Sequence, residues 1–230
     1  MSDRRPLDLL IKNVRVVRPH QPAVELCDVG VKDGRYARIA PEIPAGDARV
    51  TYDAGQRLGF PGVIDAHTHV GIYAPLADDA ASESQAAVTG GVTAMLTYFR
   101  TGQYYLNRGG AYAEFFPEVL EASAGRYWCD YAYHLAPIQS SHIDEMEALA
   151  TAHGVPSFKI FMFYGGYGLH GQTDPEAQRR FLMLEGQELT GQVTATFLRG
   201  ALVYDNGRVL DRARGRFIRR PTMPPAAPAG

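Results

Sequence analysis

Gly59-Phe60-Pro61-Gly62-Val63-Ile64-Asp65-Ala66-His67-Thr68-His69-Val70 is the stretch on which the fold turns. Glycine and proline punctuate its start, and the residues from Val63 onward carry no helical period. The stretch therefore predicts a short buried strand whose far end opens onto a site. Residues i and i+2 of a strand share a face, which sets His67 beside His69. Two imidazoles side by side at a strand end present a pair of nitrogen ligands to Zn²⁺ or a similar divalent ion. A bare His-x-His also fits a polar strand end that meets solvent; the Phe-Pro-Gly-hydrophobic-Ile-Asp run ahead of it favours the metal. Asp65, two residues before His67, shares that face. It either orients a histidine or accepts backbone hydrogen bonds, and the second role is preferred.

Downstream, the pattern alternates. A helix-like stretch over residues 80–89 is closed by Gly90-Gly91, and a strand follows over 92–99. A helix over 111–124 keeps Glu114, Glu118 and Glu121 on its wet side, and a third strand covers 128–135. Ser141 caps a helix that runs through His153 to Gly154, with Glu145 in surface contacts of the i,i+4 kind. A fourth strand covers 157–164. Strand and helix alternating with right-handed crossovers predict a parallel α/β architecture, and four such units are about half a (β/α)8 barrel.

The two ends of the chain read differently. Residues 8–20 are rich in β-branched side chains, and Asp33-Gly34 between alternating segments predicts a hairpin. Another strand is expected over 50–58. A strand over 193–204 leads into a second hairpin turn at Asn206-Gly207. Isolated hairpins are marginal, so the terminal strands are expected to pair in one small β-sandwich.

Lys159 lies within the apolar run 158–163, where an unpaired ammonium is costly to bury. A wet strand end, snorkelling or a pairing with Asp65 would each relieve that cost. His134 ends the third strand, while His20, His142 and His153 read as surface residues. His170 sits in the glycine-rich loop 165–171, either a lid over a substrate or a flexible connection; no phosphate-loop pattern is present.

At 230 residues, 46% hydrophobic and 21% charged, the composition is that of an ordinary globular protein. A net charge of −2 argues against nucleic acid or an anionic membrane as partners held by bulk electrostatics. No apolar run reaches about 18 residues, and no hydrophobic segment follows Arg4-Arg5, so neither a membrane span nor a secretory signal is expected. Cys27 and Cys129 form no Cys-x-x-Cys pair and read as structural thiols in a reduced, cytoplasmic setting.

The segment 59–70 resembles the first barrel strand of the amidohydrolase superfamily, in particular the cyclic amidohydrolases: dihydropyrimidinase, hydantoinase, allantoinase and dihydroorotase. Phe158, Lys159, Phe161, Met162 and Tyr164 match that family's Phe-Lys-x-Phe-Met-x-Tyr run. The resemblance implies that His67, His69 and Lys159 are metal ligands. Lys159 would be carbamylated and bridge two divalent ions, Zn²⁺ by preference. Carbamylation converts a cation into an anionic oxygen ligand, which suits a two-metal site about 3.5–4 Å across. It further implies that Tyr164 is catalytic, donating to the substrate carbonyl and the oxyanion that develops there.

The implied fold is α/β: a partial (β/α)8 amidohydrolase barrel of the first four βα units plus a small β-sandwich from N- and C-terminal strands. Residues 1–58 and 185–230 would build the sandwich and 59–184 the half-barrel. The match falls in two blocks, 8–184 on the family's first half and 185–220 on its extreme C-terminus. The family's strands five to eight carry two further histidine ligands, the aspartate that is both ligand and general base, and the groups that grip the ring. They have no counterpart, and the junction near Leu184-Glu185 reads as an internal deletion. The resemblance implies metal-dependent hydrolysis of dihydropyrimidine- or hydantoin-type rings, impaired by that loss. The alternative is a catalytically inactive dihydropyrimidinase-like scaffold or interaction protein; a third reading is a hydrolase completed by a partner chain or by self-association. A small cyclic amide is the expected partner, together with a homo-oligomeric assembly, since family members are often tetramers.

Overall fold

The computed structural model describes residues 7–72, 74–100, 110–137, 140–159, 192–210 and 212–219. The chain is α/β and divides into two compact units, one of Met1–Ile64, Ala87–Thr93 and Thr194–Arg212, the other of Asp65–Ala86, Ala94–Val193 and Ala213–Gly230.

In the first unit, β1 (Leu7–Val16) pairs antiparallel with β2 (Glu25–Lys32), and β2 with β3 (Arg35–Ala40). β4 (Ala48–Asp53) and β5 (Leu58–Gly59) both run parallel to β1. The turn between β2 and β3 is the expected Asp33-Gly34, with φ of 51° and 74°. The apolar side chains of Val14, Cys27 and Val29, with Ala54 just past β4, bury one another. Asp28, between Cys27 and Val29 on β2, is also buried. Its carboxylate accepts from the backbone N–H groups of Asn13 (2.9 Å) and Ile43 (2.8 Å) and pairs with Lys12 Nζ at 3.0 Å. That full set of donors is what makes a buried carboxylate tolerable.

Two expected strands are each divided. Gly55 and Gln56, at φ 56° and 60°, interrupt residues 50–58, because successive positive φ angles cannot continue a strand. Arg199 and Gly200, at 49° and 81°, do the same to residues 193–204. The result is a three-stranded meander of β9 (Ala195–Leu198), β10 (Ala201–Asp205) and β11 (Arg208–Val209), closed by the predicted Asn206-Gly207 turn. Phe197 of β9 meets the ring of Tyr52 edge-on at 5.1 Å.

The second sheet has the order β6-β7-β8, from β6 (Val63–His69), β7 (Val92–Phe99) and β8 (Asp130–Leu135). β7 and β8 are parallel, with Tyr98 opposite His134. On the free side of β8, two further segments pair with it in parallel: Phe158 with Leu135, and Phe217 with Tyr131. The helices are α1 (Leu76–Thr89), α2 (Tyr112–Ser123), α3 (Ser140–Asp144) and α4 (Met146–His153). α2 buries Tyr112, Phe115, Phe116 and Val119 and leaves its glutamates in solvent, the periodicity read from the sequence.

The expected helix over 141–153 is in fact two, α3 and α4, parted at Glu145. The Glu145 carboxylate is not a surface partner along that helix. It accepts from Ala113 N at 2.9 Å and so caps the first turn of α2 from 32 positions away. Gly154 ends α4 in the left-handed conformation, as its position predicts. His142 is buried and not a surface residue. Its Nε2 hydrogen-bonds Gly110 O at 2.9 Å and its ring lies 4.5 Å from that of Tyr112, so one carbonyl and one aromatic face make burial affordable. Cys27 and Cys129 are both buried free thiols. Among the described residues no helix is long and apolar enough to cross a membrane. Tyr164, His170 and its loop, and the Leu184-Glu185 junction lie outside the described residues.

Candidate metal centre

The end of β6 builds the site by simple alternation. Thr68 turns toward β7, where its Oγ1 lies 3.1 Å from Thr97 Oγ1 and 3.4 Å from Leu96 O. His67 and His69 therefore stand together on the opposite face, ring centroids 5.2 Å apart and nearly perpendicular. Their Nε2 atoms face each other at 3.3 Å. Two nitrogens on one tetrahedral ion, each about 2.0–2.1 Å from it, must be about 3.3–3.4 Å apart. The imidazole pair has that span.

Lys159 arrives from the segment that pairs with β8, where its N–H donates to Leu135 O at 2.9 Å. Its Nζ lies 2.7 Å from His67 Nε2 and 4.6 Å from the centre of the Tyr98 ring. An ammonium only donates, so His67 Nε2 accepts and the ring proton sits on Nδ1. The three residues proposed as ligands from sequence thus meet at one place. Asp65 accepts from His67 N at 3.1 Å, the backbone role preferred for it.

The electrostatics favour neutral imidazoles. Partial burial lowers His69 to about 4, helped by the charges of Lys159, His67 and Arg100. Burial and then Lys159 and His134 lower His67, against a small opposing effect of Asp65. Lys159 is lowered by burial and then by Arg100. Both imidazoles are accordingly neutral near pH 7, the form a metal ion takes up. Among the described residues no group of three His, Cys, Asp or Glu side chains is arranged to hold a metal ion. The donors brought together are two imidazoles and a lysine amine.

Two neighbours were not assigned to the site from sequence. Tyr98, at the end of β7, lies 4.9 Å from the His69 ring and 6.1 Å from that of His67. His134, at the end of β8, lies 5.8 Å from the His67 ring. The signal available was positional: C-terminal ends of adjacent parallel strands converge on one rim, and both residues stand there.

No protein-family model matches the chain. It is 30% identical over 220 residues to a D-hydantoinase of Ralstonia pickettii, covering 92% of this chain and 43% of that protein. It is 34% identical over 171 residues to dihydropyrimidinase 2 of Caenorhabditis elegans, covering 70% of this chain and 31% of that one. A solved D-hydantoinase structure superposes with a TM-score of 0.59 and 33% identity, over 70% of this chain and 34% of that chain. The chain spans less than half the length of these relatives.

Proposed function

The chain belongs to the hydantoinase and dihydropyrimidinase family, and from that premise we propose that it serves the metal-dependent hydrolytic opening of dihydropyrimidine- or hydantoin-type rings. The observation that carries this reading is the 3.3 Å separation of His67 and His69 Nε2, with Lys159 Nζ 2.7 Å from the first.

In this proposal His67 and His69 hold one ion through their neutral rings. The Lys159 amine adds to carbon dioxide: a nitrogen–carbon bond forms, a proton leaves, and an anionic carbamate replaces the cation. The lowered basicity of Lys159 supports that step, since only the neutral amine is a nucleophile. Two Zn²⁺ ions, when bound, would supply Lewis acidity toward the ring carbonyl and the attacking water. Tyr164 donates a hydrogen bond to the carbonyl oxygen as negative charge grows on it. The Tyr98 ring lies against both imidazoles and the Lys159 ammonium. The partial barrel over 59–184, the terminal β-sandwich, the homo-oligomer and a cytoplasmic location belong to the same proposal.

No aspartate in the sequence matches the general base of the family's last barrel strand, so turnover by this chain alone is proposed to be weak. The second reading, a scaffold or interaction protein without turnover, follows from the same missing aspartate. The two are separated by loading the purified chain with Zn²⁺ and bicarbonate and following ring opening of hydantoin and dihydrouracil. Metal-dependent turnover supports hydrolysis. A chain that holds its metal yet opens neither ring contradicts hydrolysis and supports the scaffold.

A further inference from the structure

We infer that His134 is a positioning residue whose imidazole ties the strand carrying His67 to the segment carrying Lys159, holding the donors within reach of a common ion; the inference rests on the metal-site reading above. His134 Nε2 lies 3.0 Å from Ala66 O, and its Nδ1 lies 2.5 Å from Ser157 Oγ. The Ala66 carbonyl belongs to the peptide group that leads into His67, so this hydrogen bond fixes the plane from which the His67 side chain springs. Ser157 is two residues before Lys159, in a segment held to β8 by Leu135 N to Ser157 O and Lys159 N to Leu135 O.

The proton positions follow from the partners. A carbonyl oxygen only accepts, so Nε2 carries the hydrogen, and Nδ1 accepts from the Ser157 hydroxyl. One ring, donating at Nε2 and accepting at Nδ1, thereby satisfies both ends of the tie. His134 has no nitrogen left over for an ion, which separates it from His67 and His69.

The need for such a tie comes from the sheet order. β7 and β8 lie between β6 and the Lys159 segment, so the backbone ladder joins them only through two intervening strands. His134 spans that gap directly, linking positions 66 and 157 from 134. Two strands displaced by a fraction of an ångström would still be well folded, but the donor atoms would no longer match one ion.

The test measures Zn²⁺ affinity by competition with a chromophoric chelator for the wild-type chain, His134→Ala, His134→Gln and Ser157→Ala. Urea unfolding in EDTA and the imidazole NMR signals of His67 are followed alongside. His134→Ala should weaken Zn²⁺ about tenfold and shift the metal-free His67 signals, while metal-free stability changes little. Gln, which keeps a donor and an acceptor, should recover most of that affinity, and Ser157→Ala should lose about threefold. His134→Ala binding within about twofold of wild type would overturn the inference and leave the metal site standing. A wild-type chain that binds no Zn²⁺ would overturn the metal-site reading and the inference with it. If His134→Ala fails to fold, Ser157→Ala decides, and wild-type affinity in that variant overturns the tie.

Discussion

Lys159 Nζ stands 2.7 Å from His67 Nε2, joining two side chains 92 positions apart at the rim of one parallel sheet. Partial loss of hydration does most to lower the basicity of His67 and His69, although both residues keep an exposed edge, and the Lys159 charge comes second for both. Replacing that charge with an apolar chain of similar length, Lys159→Met, should raise both imidazoles toward their ordinary value. Proton NMR titration of the metal-free chain checks this, and unmoved midpoints would contradict it.

The same histidines set a pH dependence of folding. The ordinary imidazole value is 6.5, whereas His69 is lowered to about 4 in the folded chain. Between those values the unfolded chain holds more protons, so stability falls as pH falls from 6.5 toward 4, and His67 acts in the same direction. Urea unfolding of the metal-free protein between about pH 7 and about pH 4.5 should show a larger loss for the wild type than for His69→Ala.

Asp28 anchors the first unit. Burial would raise its carboxyl, but the N–H groups of Asn13 and Ile43 and the Lys12 ammonium outweigh burial and hold it below 3.8. A depressed carboxyl contributes stability above its unfolded value and loses it as pH falls through the folded one. At neutral pH, Asp28→Ala strands the buried Ile43 N–H, frees the part-buried Asn13 N–H and leaves the Lys12 ammonium only the Ile43 carbonyl, and should cost about 3 kcal/mol by urea denaturation.

Glu145 acts on a helix that is distant in sequence. Because its carboxylate caps Ala113 N, Glu145→Ala should destabilise the chain by about 1 kcal/mol, with Glu145→Gln in between. Equal stability of all three proteins in chemical denaturation would contradict the capping role.

What could be read from sequence depended on range. Asp33-Gly34, Asn206-Gly207 and Gly154 announce their turns because positive φ is a local demand, and the α2 face follows from its own periodicity. His67 and His69 share a face by strand geometry alone. Interactions across the fold were invisible: nothing near Glu145 points to Ala113, and nothing near His142 points to Gly110. The Arg199-Gly200 turn hid inside a run with good strand residues on both sides. Lys159 stands out in the sequence for its apolar setting, but its contact with His67 needs the parallel sheet that aligns both strand ends. Tyr98 carries no sequence signal except its place at one of those ends.

The central claim is that His67 and His69 form the core of a metal site. It is tested most directly by metal analysis of the chain after Zn²⁺ loading and gel filtration, wild type beside the His67→Ala/His69→Ala double variant. The wild type should retain Zn²⁺ at a stoichiometric level and the folded double variant should lose it. Background metal in the wild type, or equal retention in both, would contradict the account.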